Sequence, residues 1–203
     1  MSTSSAALRR PGPVVLADLL PGALLRDAVL VVSFAALVGL AAQVTIPLPF
    51  TPVPITGQTF AVLLGGAALG WRRGALGMVL YAAAGVAGLP WFAGHSGGMA
   101  VVASASFGYI LAYPLAAGVA GALAARSLDR RPATMAGLMV AGNLIIYVLG
   151  ISWLMADLGV GLARGLELGV LPFLPGDAIK IVLALGLMPA AWRLVGRAGR
   201  PTG

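Results

Sequence analysis

The chain has 203 residues, of which 60% are hydrophobic and 9% charged, with a mean hydropathy of +0.99 that lies outside the range of a water-soluble domain of this size. It has no cysteine, which excludes disulfides, thiolate metal sites and cysteine nucleophiles, and a single histidine does not make a zinc centre. The net charge of +7 comes from arginines that flank apolar stretches, so the partner it suits is an anionic membrane leaflet rather than a nucleic acid.

Charge is confined to islands. Of the twelve arginines, eleven fall in four clusters: Arg9, Arg10 and Arg26; Arg72 and Arg73; Arg126, Arg130 and Arg131; Arg193, Arg197 and Arg200. The 52 residues from Gly74 to Ala125 contain no Asp, Glu, Lys or Arg, which is room for two crossings of ~20 residues each.

Residues 1–27 form a polar, mildly basic segment, expected to be cytoplasmic. Ala28–Val44 is longer than a signal-peptide core and has no cleavage signal, so it reads as a retained first span. Ile46–Gly57 follows as an outer connection in which Pro47, Pro49, Pro52 and Pro54 forbid a helix and favour a stiff, extended path. A spacer at the interface is the plain reading. Yet the loop is apolar, with Phe50, Val53 and Ile55, as suits the cover of an occluded pocket. Gln58–Trp71 is a short second span of about 21 Å, either extended by what precedes it or embedded among its neighbours. Gly74–Phe92, Met99–Ala125, Ala133–Ala156 and Gly176–Trp192 complete six crossings. With both termini cytoplasmic, all four arginine clusters fall on one side, where arginine is retained. The expected fold is therefore all-α and polytopic, with one six-helix domain over residues 28–193, a cytoplasmic tail over 194–203, and a location in the cytoplasmic membrane. The 29 glycines and many alanines predict closely packed helices.

Three stretches carry candidate chemistry. The sixth span opens Leu-Pro-Gly-Asp-Ala-Ile-Lys, placing Asp177 and Lys180 on one helical face near its outer end, with Asp177 favoured by the helix dipole. An interfacial ion pair is the plainer alternative, but ionisable groups inside a span are costly and usually face a cavity. Asn143 and Tyr147 lie four apart in the fifth span, with Trp153 further out; cross-helix bonding and interface anchoring are the alternatives here. The second outer connection, Gly88–Gly98, is uncharged, aromatic and glycine-rich, which permits backbone approach to a ligand. Lys180 lies between two isoleucines, so no phosphate-binding loop exists, and His95 beside Ser96 cannot serve a serine nucleophile from another helix. No enzyme chemistry survives these tests. A pore would line several helices with polar residues, whereas here they gather on one side.

Taken together, Ile46–Thr59 (IPLPFTPVPITGQT), Gly88–Gly98 (GLPWFAGHSGG), Gly142–Leu154 (GNLIIYVLGISWL) and Pro172–Lys180 (PFLPGDAIK) resemble, in order and separation, the biotin-specific substrate-binding subunit (S component) of the energy-coupling factor transporters, the BioY family. The resemblance extends over most of the chain from Ser33 onward. It implies six helices, a vitamin site opening outward, biotin as a transported ligand rather than a cofactor, no enzymatic activity, and partners comprising a transmembrane coupling (T) protein and two ABC-type ATPase subunits. An S component for another small vitamin and a membrane-embedded enzyme are the alternatives. Biotin's ureido ring offers two N–H donors and a carbonyl, which suit Asp177 and then Asn143 or Gln58, with Thr56 beside it. Its carboxylate suits Lys180, unless Asp177 and Lys180 both address the ring and the tail meets backbone amides. The apolar body suits Tyr81, Trp91, Phe92, Tyr147 and Trp153. Some members carry an asparagine where this chain has Gly94. The family's small-residue contact motif corresponds to Ala35 and Gly39, which with Ala42 form a face at i, i+4 and i+7 expected to meet the coupling protein, packing within the bundle being the alternative.

Overall fold

A computed structural model describes residues 15–19 and 24–198. The expected N-terminal segment and the end of the tail lie largely outside the described residues. Seven α-helices are present among them: α1 (Leu24–Gln43), α2 (Gln58–Leu69), α3 (Trp71–Val86), α4 (Phe107–Ala124), α5 (Pro132–Leu158), α6 (Leu162–Gly169) and α7 (Leu174–Ala198). Four of them, α1, α4, α5 and α7 as far as Leu194, are long and apolar enough to cross a membrane. At 12 and 16 residues, α2 and α3 are shorter. The fourth expected span divides into a short 3-10 turn, Met99–Ala103, and α4.

Helix ends follow the local chemistry. Pro132 occupies the first turn of α5, where its missing N–H costs nothing, and Gly159 closes that helix in the left-handed region at φ 65°. The α2–α3 corner turns on Gly70, whose φ of 84° a side chain would strain. Pro114 and Pro189 lie inside α4 and α7, a placement tolerated in apolar helices when neighbours cover the freed carbonyls.

The glycines set the helix spacing. A methyl group on Gly66 would lie 2.5 Å from the Ala117 carbonyl oxygen, and one on Gly121 would lie 2.4 Å from the Gly70 carbonyl carbon. α2, the α2–α3 corner and α4 thus meet backbone to backbone, as small residues allow. Phe34 of α1 fills the groove left by Gly65 and Gly77, where added methyl groups would fall 2.0 and 2.6 Å from its ring. Ala35, Val38 and Ala42 are fully buried beside it, and Gly39 lies under the Trp91 ring. This corrects the expected partner face. Ala35, Gly39 and Ala42 pack inside the chain, while Val29, Val32, Leu37 and Leu40 form the outward surface of α1.

Two connections differ from expectation. The proline-rich loop doubles back instead of running extended, because α1 and α2 are neighbours and their ends must meet. Its base is a two-stranded antiparallel ladder, β1 (Thr45–Ile46) with β2 (Ile55–Thr56), pairing Thr45 with Thr56 and Ile46 with Ile55. Between the fifth and sixth expected spans lies α6, which buries Gly165, Leu168 and Gly169 and carries an exposed Arg164–Glu167 ion pair of 2.7 Å. The i, i+3, i+4 spacing of the buried residues and the i, i+3 charge pair are the signals that reading missed.

Candidate ligand-binding cavity

The Asp177 amide N–H donates to the Phe173 carbonyl at 2.9 Å, so α7 is already helical at its acidic residue, with Pro175 in the first turn. One turn later Lys180 projects on the same face. Its ammonium donates to Asp177 Oδ1 at 3.1 Å and to Thr59 Oγ1 of α2 at 2.7 Å. The second carboxylate oxygen accepts the hydroxyl of Tyr147 from α5. Side chains from α5 and α7 therefore meet at one carboxylate, only 9% exposed, and α2 is tied in through Lys180. Each oxygen keeps a lone pair for an incoming N–H.

These residues lie in the wall of a cavity of about 640 Å³, within the range of small-molecule sites. Gln58, Thr56, Asn143, Tyr147, Asp177, Lys180 and Phe92, all expected in the site, share that wall. The Asn143 carboxamide has no hydrogen-bond partner among the described residues, which leaves both its donor and its acceptor available. Gln58 is held from two sides: its Oε1 accepts from Thr56 Oγ1 at 3.0 Å and its Nε2 donates to Tyr81 OH at 2.7 Å.

Tyr81, Trp91, Trp153 and Gly94 were expected to touch a ligand, and they lie outside the wall. Tyr81 is fully buried behind Gln58 and Phe92, with its ring 5.2 Å from both Phe92 and Trp91. The Trp91 indole N–H donates to the Tyr81 carbonyl at 3.0 Å. Trp153 packs on Gly108 and Phe107 and donates its indole N–H to the Ser104 carbonyl at 3.0 Å, bracing the segment before α4. Large aromatic rings next to glycines filled packing gaps that the sequence pattern could not distinguish from a ligand surface.

Several wall residues escaped the sequence reading. Thr59 meets Lys180, one helical position beyond the recognised Gln58. Tyr109, Tyr113 and Ile110 of α4 and Phe173 before α7 supply apolar wall. Aromatic spacing at i and i+4 in α4 was the available signal. Pro52, Val53 and Pro54 line one side of the cavity, so the proline loop contributes to its wall. Thr51 anchors that loop: its buried hydroxyl donates to the Leu168 carbonyl of α6 at 2.7 Å. The Tyr109 hydroxyl donates to the adjacent Gly169 carbonyl at 2.8 Å.

The site thus offers one polar pole of mixed charge, a free carboxamide and an apolar aromatic body. Comparison with known proteins points the same way. The family model described as BioY family matches residues 10–197. A protein of Pyrococcus horikoshii named as a probable biotin transporter is 38% identical over 160 residues, covering 79% of this chain and 92% of that protein. A biotin transporter of Rhizobium etli is 35% identical over 167 residues, covering 78% and 89%. Among solved structures, the S component for biotin of an ECF-type ABC transporter superposes with a TM-score of 0.74 at 23% identity, covering 83% of this chain and 92% of that one; this likeness establishes the fold.

Proposed function

The chain belongs to the BioY family, and from that premise we propose that it is the biotin-binding S component of an energy-coupling factor transporter. The observation that carries the reading is the convergence of Tyr147 and of the Thr59-bound Lys180 on Asp177, beside an Asn143 carboxamide with no partner among the described residues, at one end of a cavity walled in part by aromatic rings. A cyclic urea fused to an apolar ring matches this arrangement: its N–H groups meet Asp177 and its carbonyl meets the Asn143 or Lys180 donors. Gln58, bonded to Thr56 and Tyr81, contributes a fixed polar edge.

In this reading α1 to α5 and α7 make six crossings, both termini are cytoplasmic, and the cavity opens to the outside beneath the proline loop. The chain carries no nucleotide-binding motif, so accumulation against a gradient draws on ATP hydrolysed by two partner ATPase subunits and transmitted by a transmembrane coupling protein. The cytoplasmic membrane is the location that fits such partners. Titration of the purified protein with biotin, dethiobiotin and thiamine tests the assignment. Tight binding of biotin and no binding of thiamine are expected; thiamine binding, or no binding of biotin, would refute it.

A further inference from the structure

The outer segment between α3 and α4 contributes a second stretch of cavity wall, and its polar groups are almost all committed within the chain. Ser96 Oγ donates to the Ala93 carbonyl at 2.9 Å, and Ser104 Oγ donates to the Val101 carbonyl at 2.7 Å. Ser106 Oγ lies 3.2 Å from Ser104 Oγ and is left as the donor of that pair. His95 is different. It lines the cavity, is exposed, and its imidazole has no hydrogen bond to any described residue. It also holds a φ of 58°, a left-handed conformation that a non-glycine residue adopts at a cost.

That conformation is imposed by Gln43, at the last position of α1. The Gln43 Oε1 accepts the His95 backbone N–H at 3.2 Å. Its Nε2 donates to the carbonyls of Gly39, Trp91 and Phe92 at 3.0 to 3.2 Å. One carboxamide therefore pins the whole Trp91–His95 turn to α1. Gly94, inside the same turn, takes a left-handed φ of 68° without cost, but the next left-handed position is held by histidine and not by a second glycine.

The polar pole leaves a ligand carboxylate poorly served. Lys180 is already shared between Asp177 and Thr59, and an anion placed on it would sit beside the Asp177 charge. We infer that His95 is the donor that receives the ligand's carboxylate, and that Gln43 is its positioning residue. The inference rests on the biotin reading above and assigns the tail end of the molecule, with the ureido ring at Asp177. An imidazole N–H suffices for this bond, which is stronger to a carboxylate than to a neutral amide.

The experiment measures the affinities of biotin and biotinamide, in which the tail acid is a neutral amide, for the wild type, His95→Gly, Gln43→Leu and the double variant. Glycine is at ease at this φ, so His95→Gly is expected to fold. Wild type should prefer biotin by roughly 5- to 10-fold, the excess of a charge-assisted over a neutral hydrogen bond. In His95→Gly the preference should collapse towards unity, with biotin weakened more than biotinamide. Gln43→Leu should lower the same ratio, and adding it to His95→Gly should change the ratio no further, a pattern that loss of packing alone does not produce. An unchanged ratio in a His95→Gly protein that still binds biotin overturns the inference and leaves the function standing. Failure of wild type to bind biotin at all removes both.

Discussion

Asp177 accepts from both Tyr147 and Lys180 in the cavity wall, and these neighbours make the consequence of each substitution different. Asp177→Asn keeps the volume but replaces a charged acceptor with a neutral one, and should weaken biotin by about 10- to 150-fold, the worth of a charged hydrogen bond of roughly 1.5–3 kcal/mol. Lys180→Met should cost affinity and also lower the unfolding temperature of the empty protein. It leaves the Asp177 carboxylate buried with only the Tyr147 hydroxyl, whereas Asp177→Asn leaves a lysine that can reach Thr59. Calorimetric titration and thermal unfolding of both variants check the pair; equal unfolding temperatures would contradict the ordering. The Asp177–Lys180 pair was legible in the sequence because ionisable residues three apart in an apolar helix leave few alternatives. Thr59 and Gln43 were not. A threonine in an apolar helix and a glutamine at a helix end look ordinary until their partners, 121 and 52 residues away in the chain, are in place. The aromatic residues misled in the opposite sense, since Trp91 and Trp153 are large and amphipathic wherever they sit, and Gly39 and Gly108, which receive them, are distant in sequence.

At the scale of elements, the proline-rich part of the cavity wall is a short hairpin with one fastening to the opposite side. Thr51 joins it to the end of α6, and nothing in a run of alternating prolines suggested where the loop would be tied. Thr51→Val keeps the shape and removes the donor to the Leu168 carbonyl. We expect biotin to dissociate faster by roughly 3- to 10-fold, as for loss of one neutral hydrogen bond, with its association rate changed less. Stopped-flow measurement of both rates decides, and an unchanged dissociation rate would show that the loop is held by its apolar contacts alone. The long helices were read from hydropathy to within a few residues at most ends, because an apolar run of that length has one stable form in a membrane. α6 was missed because eight amphipathic residues with an ion pair resemble a polar loop when only mean hydropathy is considered. The fate of Ala35, Gly39 and Ala42 has the same origin: a stripe of small residues says that something comes close, and only the structure says that it is Phe34's neighbours and Trp91 rather than another chain.

At the scale of the whole molecule, arginine placement makes a claim about sidedness. Single cysteines at Ser127 and Ser96 should react with an impermeant thiol reagent from opposite faces of the membrane, and labelling of both from outside would remove the six-crossing arrangement. Ser127 opens the turn that also holds Asp129, which is fully buried although it lies between spans. The Trp192 indole N–H of α7 donates to Asp129 Oδ2 at 2.6 Å, the Arg130 guanidinium stacks 4.4 Å above the same indole, and Asp129 Oδ1 has no partner among the described residues. Burial pushes the Asp129 carboxyl above its ordinary range, opposed by the Trp192 bond. An acid whose folded value is raised binds its proton more tightly in the fold, so its contribution favours folding at low pH and is lost as pH rises through the folded value. Asp129→Asn keeps an acceptor for Trp192 without the charge, so its unfolding temperature should gain on wild type as pH rises from about 4 to about 7. Parallel melting curves would show that the carboxyl is already solvated. The backbone contact between α2 and α4 has a mechanical consequence. With no side chain between Ala117 and either Gly66 of α2 or Gly74 of α3, or between Gly70 and Gly121, there is no compliant layer to shear, and α2, α3 and α4 must travel as one stiff beam. A displacement at one end of that beam is then carried to the other, and α7 and the proline hairpin, which lack such contacts with it, are where we expect relative movement. Spin labels at Leu76 and Leu115 should keep their separation to within ~1 Å when biotin binds, while labels at Leu76 and Val182 register whatever displacement occurs; a change in the first pair would mean that the beam bends.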